Sequence, residues 1–146
     1  MSIKLNLYVR RLPDIELMNE EFRLTRLFCD VVFEFETALS DPYSGIIDTG
    51  APISIIPFSI WSRTTVRKLK KVHLQGITAG KECAVPVTAG IMSAIFVGKE
   101  GNRVKRSFRT YLAENDEVPL LLGMQDLLEK TEVFLDLKKE MAWIEF

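Results

Sequence analysis

The feature that most constrains this chain is a two-residue hydrophobic period. Ile3, Leu5, Leu7 and Val9 alternate with polar residues, and Phe33 and Phe35 alternate with Glu34 and Glu36. Successive side chains of a strand point to opposite faces, so this alternation describes strands with one buried side. The pattern predicts a first strand ended by Pro13, then loop or a short helix to Glu21. Leu24 to Thr37 reads as one long strand, or as two separated by a bend. Ser40-Asp41-Pro42-Tyr43-Ser44-Gly45 is a cluster of turn formers. Pro57 to Thr64 suits a short helix, with proline tolerated in its first turn. Val72 to Val97 reads as strand, turn and strand, the turn centred on Gly76-Ile77-Thr78-Ala79-Gly80. Glu100-Gly101-Asn102 is a second hairpin turn before a strand from Arg103 to Leu112. Pro119 to Leu122 is a short buried strand that Gly123 ends, and Met124 to Lys130 suits a helix. Val133–Leu137 and Met141–Phe146 make a final hairpin around Lys138-Lys139-Glu140. The sum is one mostly-β domain with one or two short helices, without repeats or linkers.

Length and composition fit that reading. The 146 residues suit one domain, and 47% apolar residues are enough for a core. A formal net charge of -1 argues against a dedicated nucleic-acid binder, which usually carries a basic excess. The basic stretches Arg63–Lys71 and Arg103–Arg109 read as solvated loop and strand edge, where lysine discourages edge-to-edge pairing. No run approaches a membrane-spanning helix, and the alternating N-terminus is not a signal peptide. A cytoplasmic location follows by default. Cys29 and Cys83 sit among apolar residues without a Cys-x-x-Cys pair, and read as reduced, buried thiols. One histidine, His73, cannot build a His-rich zinc site and would have to be the only base of any Ser–His or Cys–His scheme. It reads as a polar tip at the edge of a strand, and no metal or cofactor is expected.

The informative segment is Asp48-Thr49-Gly50-Ala51. Asp-Thr-Gly by itself arises by chance in about a few per cent of chains this long. Its setting is more specific. Ile46-Ile47 precede it and Ile53-Ser54-Ile55-Ile56 follow it, so an ionisable carboxylate lies in a loop between two apolar runs. An unpaired buried charge is costly and is seldom held without a purpose or a partner. An aspartate that closes a tight turn is the alternative, since Asp and Gly are common turn residues. On this segment alone the two readings stand level.

A second segment separates them. Leu121-Leu122-Gly123, followed by Met124-Gln125-Asp126-Leu127-Leu128, places two apolar residues and a glycine before a short helix. With Asp-Thr-Gly-Ala upstream and a glycine-rich hairpin between, the chain resembles the retropepsins, single-domain aspartic proteases of retroviruses and their cellular relatives. The resemblance covers roughly Gly45 to Phe146; Met1 to Ser44 form a longer N-terminal region than the family usually has. It implies a closed β-sheet of the acid-protease type and an aspartic endopeptidase. One Asp-Thr-Gly in a chain too short for two such domains implies a symmetric homodimer, each subunit giving Asp48 to a shared pair. Thr49 would bond across the axis, and Gly50 would let substrate backbone approach. Gly76, Ile77, Thr78, Ala79 and Gly80 would form a flap over a peptide or protein substrate, with Leu121 and Leu122 lining its pockets. Viral members commonly pair an acidic residue after the Ala with an Arg after the later Gly. Pro52 and Met124 stand at those places here, so that ion pair cannot form. A dimerisation or peptide-binding module that keeps the fold without turnover is the alternative function.

Overall fold

The computed structural model describes residues 2–14, 19–74 and 85–146. Its longest ladder joins two strands whose burial alternates along the chain. In β8 (Arg103–Ala113), Val104, Phe108, Thr110 and Leu112 are buried, while Arg103, Lys105, Ser107 and Arg109 are exposed. In β7 (Val85–Val97), Met92, Ala94 and Phe96 occupy the facing buried row, paired antiparallel with Phe108, Arg106 and Val104. Phe96 lies 6.1 Å from Phe108 and stacks on Phe146 at 5.8 Å between ring centroids. Fully burying such a side chain stabilises by about 1.5–3 kcal/mol, and each aromatic pair adds about 0.5–1.5 kcal/mol.

The other strands complete one large sheet and one small one. The large sheet runs β2 (Tyr8–Asp14), β3 (Asn19–Val32), β4 (Tyr43–Ile47), β9 (Leu121–Leu122), β5 (Ser54–Ile56), β8, β7 and β6 (Arg67–Leu74). β3 also pairs with β7, through Asp30–Val97, Val31–Phe96 and Val32–Ile95. That pairing returns the sheet onto itself, so the mostly-β, closed-sheet expectation holds. Closure removes sheet edges and, among the described residues, leaves β2 and β6 as the terminal strands of the sheet. The small sheet, β1 (Lys4–Asn6), β11 (Met141–Glu145) and β10 (Glu132–Asp136), carries Leu5, Ala142 and Ile144 into the same core as Val31, Phe33, Ile56, Phe96 and Leu112. The N-terminal region therefore adds strands to both sheets.

Several boundaries differ from the sequence reading. The first alternating run is two strands that change sheets at Leu7, β1 pairing with β11 and β2 with β3. Pro13 lies inside β2, opposite Arg23, at a sheet edge where proline is tolerated. β3 begins at Asn19, within the stretch expected as loop or helix. β6 starts at Arg67, ahead of Val72, because its exposed basic residues hide the alternation. The short helix α1 spans Phe58–Trp61 with Pro57 as its N-cap. Met124–Lys130 is not a helix. It is a series of turns ending in one 3-10 turn, Leu128–Lys130, because Asp126 adopts φ 62° and cannot continue a right-handed helix. Cys29 is free and fully buried among apolar neighbours, which push its thiol pKa up to about 12. Cys83 lies outside the described residues. His73 is exposed on β6, the edge strand.

Candidate active site

The Asp48 loop is built by three short strands. β4 runs into Asp48 and β5 leaves the loop at Ser54. β9 lies between them, parallel to β4 through Ile46–Leu121 and Ile47–Leu122, and antiparallel to β5 through Ile55–Leu121. The two sequence segments singled out above, Asp-Thr-Gly and Leu-Leu-Gly, thus meet in space. The Asp48 amide donates to the Leu122 carbonyl at 3.0 Å, so the ladder continues to the base of the loop. Short apolar strands suit this position because Gly45, Ile47, Ser54, Ile56 and Leu122 are all buried.

Inside the loop, the backbone fixes the carboxylate. Asp48 Oδ1 accepts from the Gly50 amide at 2.9 Å, and the Asp48 carbonyl accepts from the Ala51 amide at 3.2 Å. A Cβ on residue 50 would stand 3.2 Å from Asp48 Oδ1, tighter than ordinary contact, so glycine leaves the carboxylate its room. Ala51 is half-buried, and its carbonyl accepts from the Met124 amide at 2.9 Å. Asp48 is half-buried, and Thr49 and Gly50 are exposed at the tip.

The loop is braced from behind by polar groups that the sequence did not flag. Ser54 and Thr110 are the buried polar side chains of the core. Ser54 Oγ accepts from the Gly123 amide at 2.9 Å, and the Ser54 carbonyl accepts from the Thr110 hydroxyl at 3.0 Å. Gly123 is packed so closely that a Cβ there would meet the Ala51 carbonyl oxygen at 2.7 Å and the Ile53 carbonyl carbon at 2.8 Å. This explains why a glycine must end β9. A second brace is an ion pair between β8 and the 124–130 turns. Arg109 Nε and a terminal nitrogen donate to the two oxygens of Asp126 at 2.8 and 3.0 Å, and the Arg109 amide adds a third bond at 3.0 Å. These bonds to Arg109 hold the Asp126 carboxyl well below the usual carboxylate range, while the carboxylate raises the Arg109 guanidinium. The pair fastens the 124–130 turns to β8. Asp126 follows the Leu-Leu-Gly segment and Arg109 belongs to a basic stretch, and only the fold brings them together.

Asp48 and Thr49 form part of the wall of an open groove of about 420 Å³, shared with Leu24, Leu27, Leu135 and Leu137. Leu24, Leu135 and Leu137 are 42, 47 and 45% exposed. Large apolar side chains this open beside a carboxylate are a feature that strand alternation could have pointed to, although their convergence needs the tertiary fold. Of the two leucines proposed for substrate pockets, Leu122 is buried in the core and Leu121 is half-buried. Gly76, Ile77, Thr78, Ala79 and Gly80 lie outside the described residues. Among the described residues, no three His, Cys, Asp or Glu side chains group as a metal site would require.

No protein-family model matches the sequence, and no curated protein matches it. A solved structure does match by shape. The crystal structure of a retropepsin-like aspartic protease from Rickettsia conorii superposes with a TM-score of 0.52 at 14% sequence identity, over 100% of this chain and 92% of that one. The architecture is therefore a retropepsin-like fold, with the Asp48 loop held between β4 and β5.

Proposed function

We propose that the protein is an aspartic endopeptidase, active as a symmetric homodimer in which the Asp48 carboxylates of two subunits form one catalytic pair. The observation that carries this reading is the Asp48 loop itself: a carboxylate fixed through one oxygen, braced by Leu122, Gly123 and Ser54, and exposed on a groove within a retropepsin-like fold. One carboxylate is a poor peptidase, because amide hydrolysis needs both a base and an acid. Two carboxylates a few ångströms apart cannot both ionise, so they share a proton and supply both roles.

In this mechanism the ionised Asp48 takes a proton from water as the water attacks the peptide carbonyl. The protonated Asp48 of the other subunit polarises that carbonyl and then helps protonate the leaving nitrogen. In that dimer Thr49, exposed at the loop tip, bonds across the two-fold axis. Substrate lies extended, as an added strand, with apolar side chains in pockets such as the Leu24–Leu135–Leu137 groove. The chemistry uses protons and carboxylates alone, without metal or organic cofactor.

Cleavage of a peptide library from acidic to neutral pH, with and without a pepstatin-type transition-state mimic, tests the reading. Wild type should cleave, the mimic should inhibit, and Asp48→Asn should be inactive but folded. A folded dimer that cleaves nothing would leave the non-catalytic, peptide-binding reading in its place.

A further inference from the structure

The charges of this chain are sorted by strand. β6, β7 and β8 together hold eight of the nineteen Lys and Arg residues and none of the twenty Asp and Glu. The remainder of the chain is left with eleven cations against twenty acids. β7 carries no charge, so the cations lie on β6 and β8. Those on β8 are partly engaged. Arg109 is held by Asp126, Lys105 pairs with Glu34, and Arg106 lies over the Phe146 ring.

β6 is different. Arg67, Lys68, Lys70 and Lys71 are all exposed, and none forms an ion pair among the described residues. β6 is also a terminal strand of the large sheet, so one row of its amides and carbonyls has no neighbouring strand among the described residues. Arg67 and Lys70 stand opposite Ile91 and Ala89, on the face that carries Lys105 and Arg109. Lys68 and Lys71 stand opposite Gly90 and Thr88, on the other face. A register shift between Lys68 and Lys70 leaves Leu69 outside the ladder and 48% exposed. The edge thus offers open backbone, cations on both faces and one apolar side chain. Edge lysines repel a like strand, and the same charges attract an acidic one.

We infer that the β6 edge is a docking site for an extended acidic polypeptide segment, which adds to the sheet as a further strand beside Arg67–Lys71 with an apolar side chain against Leu69. Strand addition takes its affinity from main-chain hydrogen bonds and its selectivity from alternate side chains. Here successive acidic residues would meet Arg67 and Lys70 on one face and Lys68 and Lys71 on the other, with one apolar residue beside Leu69. A nucleic acid fits this edge less well. Its phosphates favour cations gathered on one face, and Trp61, the ring beside the edge, is already covered by Lys68 at 5.2 Å. The site lies apart from the Asp48 groove, whose wall takes no residue from β6, β7 or β8. Docking is therefore separable from proteolysis. If the proteolytic reading also holds, the edge would recruit substrates by an acidic segment away from the cleaved bond.

The test is fluorescence anisotropy with a labelled peptide in which Glu-Glu pairs flank a central Val, on the full chain carrying Asp48→Asn so that the probe stays intact. The peptide should bind, and its Lys-for-Glu counterpart should not. Lys70→Glu with Lys71→Glu should weaken binding about tenfold or more, as attraction turns to repulsion, at an unchanged melting temperature. Arg103→Glu, away from the edge, should leave binding within about twofold. N-methylation of alternate peptide bonds should abolish it. Four results would overturn the inference: no binding of the Glu peptide, equal binding by the charge-reversed protein, full binding of the N-methylated peptide, or tighter binding of a labelled oligothymidine. A change of oligomeric state on charge reversal would also overturn it, by placing a second copy on this edge.

Discussion

At the level of single residues, the site is held by contacts that a change of one or two atoms should disturb. Gly123→Ala drives a methyl group into the Ala51 and Ile53 backbone. Overpacking of this kind typically costs about 1–3 kcal/mol. The variant should show a lower urea midpoint and, if it folds, a displaced Asp48 loop with reduced cleavage. Leu122→Ala removes a fully buried side chain beneath the same loop and should cost about 2–5 kcal/mol. Ser54→Ala strips the Gly123 amide of its acceptor, and an unsatisfied buried donor costs about 1–3 kcal/mol. Unaltered urea midpoints in these variants would contradict the bracing described above. Cys29 offers a contrasting prediction. With its thiol buried and its pKa pushed up to about 12, it should resist iodoacetamide at neutral pH in the native protein and react once unfolded, as peptide mapping would show.

Among the elements, what the sequence reveals depends on which force places each segment. β8 follows from alternation, because one face is buried and the other wet, whereas β7 is legible only as an apolar run between turn formers. The meeting of Asp-Thr-Gly with Leu-Leu-Gly was legible as a paired motif, and β9 realises it by lying between β4 and β5. Three things were not legible. The change of sheet at Leu7 leaves the alternation unbroken, so the period gives no sign of it. The basic run of β6 looks like loop because an edge strand has little to bury. The 124–130 segment has helix-forming residues, yet Asp126 gives up helical geometry for its bonds to Arg109, an override by tertiary contact. Ser54 and Thr110 were missed for a related reason, since a buried hydroxyl has no pattern in sequence. The Asp126–Arg109 brace predicts a pH dependence. The carboxyl is lowered from 3.8 in the folded state, so its contribution is complete above that value and is lost as the pH falls through the folded value. The stability gap between wild type and Asp126→Asn, read from urea midpoints, should therefore be full at neutral pH and shrink once the pH drops below 3.8. A gap that stays constant with pH would assign the brace to packing alone.

For the whole molecule, the chain is a closed sheet that carries its acidic loop on one groove and, on a separate edge, four cations that form no ion pair among the described residues. Its single Asp-Thr-Gly loop makes the proposed activity a property of two chains. The most direct measurement is therefore peptide cleavage by mixtures of wild type and Asp48→Asn, refolded together at constant total protein. If each site takes one Asp48 from each subunit, mixed dimers are inactive, and the rate per wild-type chain should fall in proportion to the wild-type fraction. A rate per wild-type chain that stays constant as the variant is added would show that each chain works alone, and would contradict the shared pair.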